Sequence, residues 1–212
     1  MNVLLINGSP HPQGCTYTAL IEVADTLKDN GIGTRIFHLG DQPISGCLGC
    51  AKCISTGTCF MDDAVNKFLN ISHAFDGFVF GSPVHYASAS GMISSFMDRA
   101  FYGKNRRFAL KPAAAIVSCR RSGGSAALDR LNKYFTISNM PVVSSQYWNV
   151  VHGNTPQEVK QDLEGMQIMR TLGRNMAWLL YSIEAGKKSD VPLPLTEKRV
   201  STNFIRQASS QG

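Results

Sequence analysis

The stretch Asn2–Leu20, NVLLINGSPHPQGCTYTAL, decides how the rest of the chain is read. Asn2 to Asn7 is a short apolar run of the kind carried by a strand buried on both faces, and Gly8, Ser9 and Pro10 end it at once. Beyond Gly14, the residues Leu20, Ile21, Ala24 and Leu27 recur at helical spacing, which predicts a helix starting near residue 15. The loop between them is small and rich in hydroxyls. It feeds the open N–H groups and partial positive charge of a helix N-terminus, an arrangement that receives anions and phosphate foremost. The loop lacks both the Gly-x-Gly-x-x-Gly dinucleotide fingerprint and the Gly-Lys-Ser/Thr ending of a nucleoside-triphosphate loop. A mononucleotide phosphate remains, beside the plainer reading of a flexible β–α turn that binds nothing.

Working outward, Gly31 and Gly33 close the first helix and Thr34–Leu39 alternates as a second strand. Residues 41–61 have no periodicity and hold four of the six cysteines, which predicts a long functional loop inserted after strand 2. Asp62 or Asp63 is positioned to cap a helix running to about Ser72. Phe75–Ser82 reads as a third strand, broken by Gly81-Ser82-Pro83, and is followed by a helix with Met92, Ile93, Phe96 and Met97 on one face. Pro112–Ser118 reads as a fourth strand, leaving through the Gly/Ser-rich loop 119–125 into a helix with Leu128, Leu131 and Phe135. Pro141–Trp148 reads as a fifth strand. Thr155 is expected to cap a long helix whose Met166, Met169, Leu172 and Met176 form a core stripe. A single domain over residues 1–188 with a Pro-rich C-terminal tail over 189–212 is the expected organisation.

Strands alternating with helices imply an α/β fold with a doubly wound, five-stranded parallel sheet. Crossover handedness and short connections favour the flavodoxin-like order 2-1-3-4-5, with a ligand crevice at the carboxyl ends of strands 1 and 3. Loops 8–18, 82–88 and 118–125 meet there. A phosphate cradle, a wall containing His85 and Tyr86, and a loop of backbone N–H groups near Gly123 describe a site for a planar mononucleotide, and FMN fits best.

The 212 residues suit one domain with a full core, and 43% hydrophobic with 17% charged residues is ordinary for a globular protein. No apolar run approaches the roughly 18 residues of a membrane span, and the opening strand has no basic n-region, so a cytoplasmic protein with no membrane partner is expected. The 21 Lys and Arg exceed the 15 Asp and Glu, a net charge of +6 that suits anionic ligands. No basic stripe with interleaved aromatics occurs, which argues against nucleic acid. Six cysteines in a reducing compartment point to metal or redox chemistry before structural disulfides.

Gly8-Ser9-Pro10, Gly14-x-Thr16 opening a helix, Gly81-Ser82-Pro83-Val84-x-Tyr86 and Met97-Asp98-Arg99 resemble the NADPH-dependent FMN reductase branch of the flavodoxin-like fold, over roughly residues 1–150. The resemblance implies that Ser9, His11, Cys15, Thr16, Tyr17 and Thr18 surround the FMN phosphate. It implies that Pro83, Val84, His85 and Tyr86 lie along the flavin ring, and that Ser118, Cys119, Arg120 and Gly123 meet its pyrimidine edge. The family often carries Arg where His11 stands, which leaves more of the phosphate binding to the helix N-terminus. Cys47-x2-Cys50-x2-Cys53-x5-Cys59 is similar to the compact motif of iron–sulfur flavoproteins, which ligate a [4Fe–4S] cluster beside FMN. Free or reversibly oxidised thiols, structural zinc and a fixed disulfide stay open for the same loop.

Other residues carry two readings each. His85 reads as a substrate donor and as a wall histidine; Arg120 and Arg121 as a steering pair for the anionic part of NAD(P)H and as solvated charges. Cys15 and Cys119 read also as small packing residues. Tyr147, Trp148 and His152 read as aromatics offered to a partner subunit and as a local cluster. The expected function is an FMN-dependent NAD(P)H oxidoreductase passing electrons to a quinone, azo or nitro compound, to free flavin or to a cluster, with the flavin rather than a side chain carrying the chemistry. An electron carrier or redox sensor without small-molecule turnover is the rival, and a zinc-holding α/β scaffold is the third reading. Expected partners are a small electron acceptor or a redox protein, together with a second copy of the chain in a homodimer or homotetramer.

Overall fold

The computed structural model describes residues 1–103, 105–198, 200 and 202; the remainder of the expected C-terminal tail lies outside the described residues. The apolar opening run forms β1 (Asn2–Asn7), buried from Val3 onward, and α1 (Cys15–Asp29) begins where the helical spacing places it. After Asn30 and Gly31, the latter at φ +76°, the chain returns as β2 (Gly33–His38). Loop 39–63 contains one short helix, α2 (Lys52–Thr56), which periodicity does not reveal because none of its residues is buried. Then follow α3 (Ala64–Ile71), β3 (Gly77–His85), β4 (Ser88–Ala89), α4 (Gly91–Tyr102), β5 (Ala113–Cys119), α5 (Gly124–Ile137), β6 (Val150–His152), α6 (Pro156–Gln161) and α7 (Leu163–Lys188).

The strands order as β2-β1-β3-β5-β6, all parallel, with the two-residue β4 antiparallel to β3. This is the expected 2-1-3-4-5 order with one small strand added. The addition arises because β3 does not break at Gly81-Ser82-Pro83. Ser82 and Pro83 keep register with Val117 and Ser118 of β5, and Val84 and His85 turn back through Tyr86 and Ala87 to pair with Ala89 and Ser88.

The edge strand also differs from the expected Pro141–Trp148. Val142 makes only an isolated bridge to Ala113, after which residues 144–148 leave the sheet and the chain re-enters as β6 opposite Val117–Cys119. The excursion leaves Tyr147 and Trp148 exposed, with ring centroids 5.0 Å apart. The long C-terminal helix is likewise broken. Thr155 caps α6 in a capping box with Glu158, and Asp162 then interrupts the backbone and caps α7 through Gly165 N–H.

Two apolar layers flank the sheet. One packs Val3, Leu5, Leu20, Val23 and Leu27 against Met166, Met169, Leu172 and Met176, so the methionine stripe is core. The other centres on Phe68 of α3, whose ring lies 5.1–6.2 Å from those of Phe37, Phe78, Phe80, Phe96 and Phe108. Buried aromatics at such offset or tilted geometries add to their area burial. No helix among the described residues is long and apolar enough to cross a membrane. Phe68→Ala leaves a void at the hub of this layer and is expected to cost about 3–5 kcal/mol, read as a lowered urea midpoint with an unchanged slope.

Candidate flavin crevice and cysteine loop

In a doubly wound sheet the ligand crevice opens at the carboxyl ends of the strands where the order reverses, here between β1 and β3. Backbone contacts bring the first two loops together. Gly8 N–H donates to Gly81 O at 2.9 Å, and Ser90 Oγ–H donates to Gly8 O at 2.9 Å while accepting from Ile93 N–H. A Cβ on Gly8 would stand 2.8 Å from Gly81 O and 2.7 Å from Ile93 Cδ1, so no side chain fits there. The third loop joins through the buried hydroxyls of Thr16 and Ser118, 2.8 Å apart, and through Gly123, whose missing Cβ would lie 3.1 Å from Val84 Cγ1.

The first loop is shaped by residues that motif reading missed. Asn7, fully buried at the end of β1, accepts from Ser9 N–H at 3.1 Å and donates to Pro12 O at 3.4 Å; His38 Nε2 lies 2.9 Å from Ser9 O. A polar residue closing an apolar strand is the one sequence signal for Asn7. The hydroxyls expected at the phosphate are engaged within the fold. Ser9 Oγ accepts from His11 N–H, Thr16 pairs with Ser118, and Thr18 Oγ–H donates to Gly14 O at 3.1 Å. His11 is exposed, and Cys15 and Tyr17 are half-buried.

Among the described residues, three α-helices lack a side-chain cap, the short α2 of the cysteine loop and the two that open at the crevice, α1 and α5. α3, α4, α6 and α7 are capped by the side chains of Asp63, Ser90, Thr155 and Asp162. α1 and α5 start from Gly14 and Gly123 with no side-chain cap and no acidic residue in the first turn. The opening N–H groups of a helix have no intrahelical partner, and both of these ends lie at the crevice, so both present donors and positive potential to an anion or carbonyl.

In the second loop Pro83 and Val84 are half-buried, whereas His85 is exposed and Tyr86 stands wholly in solvent at φ +56°. Arg120 is exposed, and Cys119 is 5% exposed against Gly124. Burial pushes the Cys119 and Cys15 thiols up, which suits packing rather than nucleophilic roles. Beyond Gly123, a cavity of about 350 Å³ is lined by Arg121, Tyr147, Trp148, His152 and Asp162, bringing the two aromatics of the excursion and the last residue of β6 around one space.

The cysteine loop is exposed yet tightly tied. Cys47, Cys50, Cys53 and Cys59 line one hollow with Leu48, Phe60, Met61, Arg99 and Tyr102. Asn66 brackets Cys59, accepting from its N–H at 2.8 Å and donating to its carbonyl at 2.7 Å. Arg107 Nη2 donates to Gly57 O at 2.7 Å, and the backbone at Gly103 sits against Cys53 so closely that a Cβ would lie 3.0 Å from that residue. Arg99 is buried and donates to Asp63 and to Cys59 Sγ. Burial opposes its charge, but those two partners outweigh it and hold the guanidinium above its ordinary pKa. All six cysteines are free.

Among the described residues no three His, Cys, Asp or Glu side chains are spaced to hold a single metal ion. Cys47, Cys50, Cys53 and Cys59 do line one hollow, and a cubane would offer a separate iron to each of four thiolates.

The model of the NADPH-dependent FMN reductase family matches residues 1–155. An iron–sulfur flavoprotein of Methanocaldococcus jannaschii is 30% identical over 192 residues, spanning 87% of this chain and all of the relative. Among solved structures, RosB with bound 8-demethyl-8-formylriboflavin 5′-phosphate superposes with a TM-score of 0.67 at 13% identity, covering 100% of this chain and 96% of that one. A flavodoxin from the domain Archaea does so at 0.57 and 14%, covering 85% and 99%; at these identities the likeness concerns the flavodoxin-like fold alone. By its sequence and its strand order, the chain belongs to the NADPH-dependent FMN reductase family and, within it, to the iron–sulfur flavoproteins.

Proposed function

We propose that the protein is an FMN-dependent NAD(P)H oxidoreductase whose electrons leave either to a small acceptor, such as a quinone, an azo or nitro compound or free flavin, or to a [4Fe–4S] cluster on Cys47, Cys50, Cys53 and Cys59. The observation that carries the reading is the pair of uncapped helix N-termini, α1 and α5, at one crevice of a flavodoxin-like sheet. When bound, FMN supplies the hydride and electron chemistry and the cluster a one-electron exit.

The chain's own residues bind, orient and exclude water. The first-turn N–H groups of α1, with the loop from Ser9 to Gly14, would hold a phosphate, joined by the Ser9 hydroxyl, which accepts from His11 N–H and keeps its own O–H donor, whereas Thr18 gives its O–H to Gly14 O. Pro83, Val84, His85 and Tyr86 would form the wall along the ring. The loop Ser118–Gly123 would offer N–H groups and the positive end of α5 to the pyrimidine edge, favouring negative charge there. Cys15 and Cys119 fill space in this arrangement, and Arg120 stands free to meet the anionic part of a nicotinamide cofactor.

Heat-released cofactor is expected to be FMN, and FMN added to the stripped protein is expected to be quenched at micromolar concentration, about 8 kcal/mol of binding; no flavin and no quenching would refute the reading. Anaerobically prepared protein is expected to carry about four iron and four sulfide per chain, and background iron with stoichiometric FMN would remove the cluster alone. Gly123→Ala places a Cβ at φ +85° beside Val84, and is expected to weaken FMN by about tenfold (about 1.4 kcal/mol) with the circular dichroism unchanged.

A residue other than glycine at positive φ carries strain of about 1–3 kcal/mol, so Tyr86 at the tip of the β3–β4 hairpin is kept for binding rather than stability. Tyr86→Gly is expected to raise the melting temperature while raising KM for NAD(P)H or weakening FMN; an unchanged binding profile would remove Tyr86 from the site. Exposed Tyr147, Trp148, Trp178 and Tyr181 suit burial against another copy of the chain, and sedimentation at working concentration is expected to give a dimer or tetramer. A fully active monomer would contradict that assembly.

A further inference from the structure

The guanidinium of Arg99, in the last turn of α4, is 3% exposed and has five N–H donors. All five are used. Nη1 donates to Asp63 Oδ2 at 2.5 Å and Ser45 O at 3.2 Å, Nη2 to Asp63 Oδ1 at 3.0 Å and Met61 O at 3.2 Å, and Nε to Cys59 Sγ at 3.3 Å. Burying a guanidinium is costly unless it is paired, and the bidentate contact with Asp63 supplies the pair. That contact accounts for two donors. The other three go to the segment bearing the cysteines: Ser45 precedes Cys47 by two residues, Met61 follows Cys59 by two, and the third acceptor is a cysteine sulfur itself.

We propose that Arg99 is the positioning residue of the cysteine loop, clamping both ends of the ligand-bearing segment before any cluster binds and holding the Cys59 sulfur through an N–H···S bond that raises the reduction potential of the bound cluster. The electrochemical half of this proposal rests on the cluster reading above; the clamping half rests on the hydrogen bonds alone. A ligating sulfur keeps lone pairs that accept such a bond, and hydrogen bonds to cluster sulfurs favour the more negative, reduced state. Lysine cannot replace the arrangement, because its three donors radiate from one point and lack the planar fork that reaches a carboxylate, two carbonyls and a sulfur together.

The test compares wild type with Arg99→Lys, which keeps the charge near Asp63, and Arg99→Gln, which removes it. Two measurements are made: backbone amide exchange of the cluster-free, FMN-bound proteins, and the midpoint potential of anaerobically reconstituted ones. Both variants are expected to retain FMN and to exchange at least tenfold faster over residues 45–63, with β1 and β5 unchanged. The cluster equilibrium is expected to move about tenfold toward the oxidised state, about 59 mV for one electron. Wild-type exchange in the loop, or an unshifted potential in both variants, overturns the proposal. Loss of FMN together with the loop in both variants also overturns it, since Arg99 would then be a strut of the whole fold. A wild type that takes up no iron overturns the cluster reading and the tuning role, and the exchange comparison then decides the clamp by itself.

Discussion

The carbonyl ends of β1 and β3 meet in a contact that admits no side chain, Gly8 N–H on Gly81 O at 2.9 Å with the space around Gly8 filled by Ile93. The crevice depends on it. A Cβ at Gly8 would push loop 8–14 away from loop 82–90, and a Cβ at Gly81 would meet Thr16 Cγ2 at 2.9 Å and displace the first turn of α1. Because Thr16 also pairs with Ser118, such a shift would reach the third loop as well. Small residues at these points are therefore a geometric requirement of bringing three loops within reach of one planar ligand, not a source of flexibility.

The pattern of caps follows from the same need. A side-chain cap contributes typically about 1 kcal/mol to a helix, and four helices have one. Leaving α1 and α5 uncapped gives up that contribution at the two helix ends that face the crevice. A bound anion would return it by satisfying the same N–H groups. Ser9 and Thr18 meanwhile bond the backbone of the loop, accepting from His11 N–H and donating to Gly14 O, so loop geometry comes largely from side chains and the open donors largely from the main chain. The exposed His11 fits this division, since a loop binding through main-chain donors does not require a fixed side-chain charge.

Most of this frame was legible in the sequence because its signals are local. Apolar runs of strand length, the helical stripe from Leu20 to Leu27 and turn residues at each carboxyl end lead directly to the strand order. Legibility failed where tertiary context overrides local chemistry. Pro83 reads as a strand breaker, yet it pairs as a continuation of β3 because the β5 register carries the strand past it. Pro141–Trp148 reads as one strand, but Ser144 to Trp148 bulge from the edge, where no further strand enforces pairing. Asp162 breaks a helix whose apolar period continues on both sides, because its carboxylate caps Gly165 N–H. Asn7 and His38 went unread since their roles exist only once β1, β2 and loop 1 are assembled.

The two candidate redox elements are joined by one short helix. Ser90, the N-cap of α4, donates to Gly8 O in loop 8–14, and Arg99 in its last turn donates to Cys59 Sγ. Arg99 lies nine positions beyond Ser90, about 14 Å along the helix axis. Between these ends Ile93, Phe96 and Met97 are fully buried in the aromatic layer, so the helix has little freedom to slide or tilt. An exposed loop with few apolar anchors would by itself be free to change its distance from the crevice. Here it is tied by partly buried polar contacts to Arg99 of α4 and to the neighbouring Asn66 and Arg107, which exchange loop entropy for a constant separation. On the proposed reading, that constancy is what a pair of sites exchanging single electrons requires, and it gives the buried arginine a role at the end of a helix whose other end shapes the crevice.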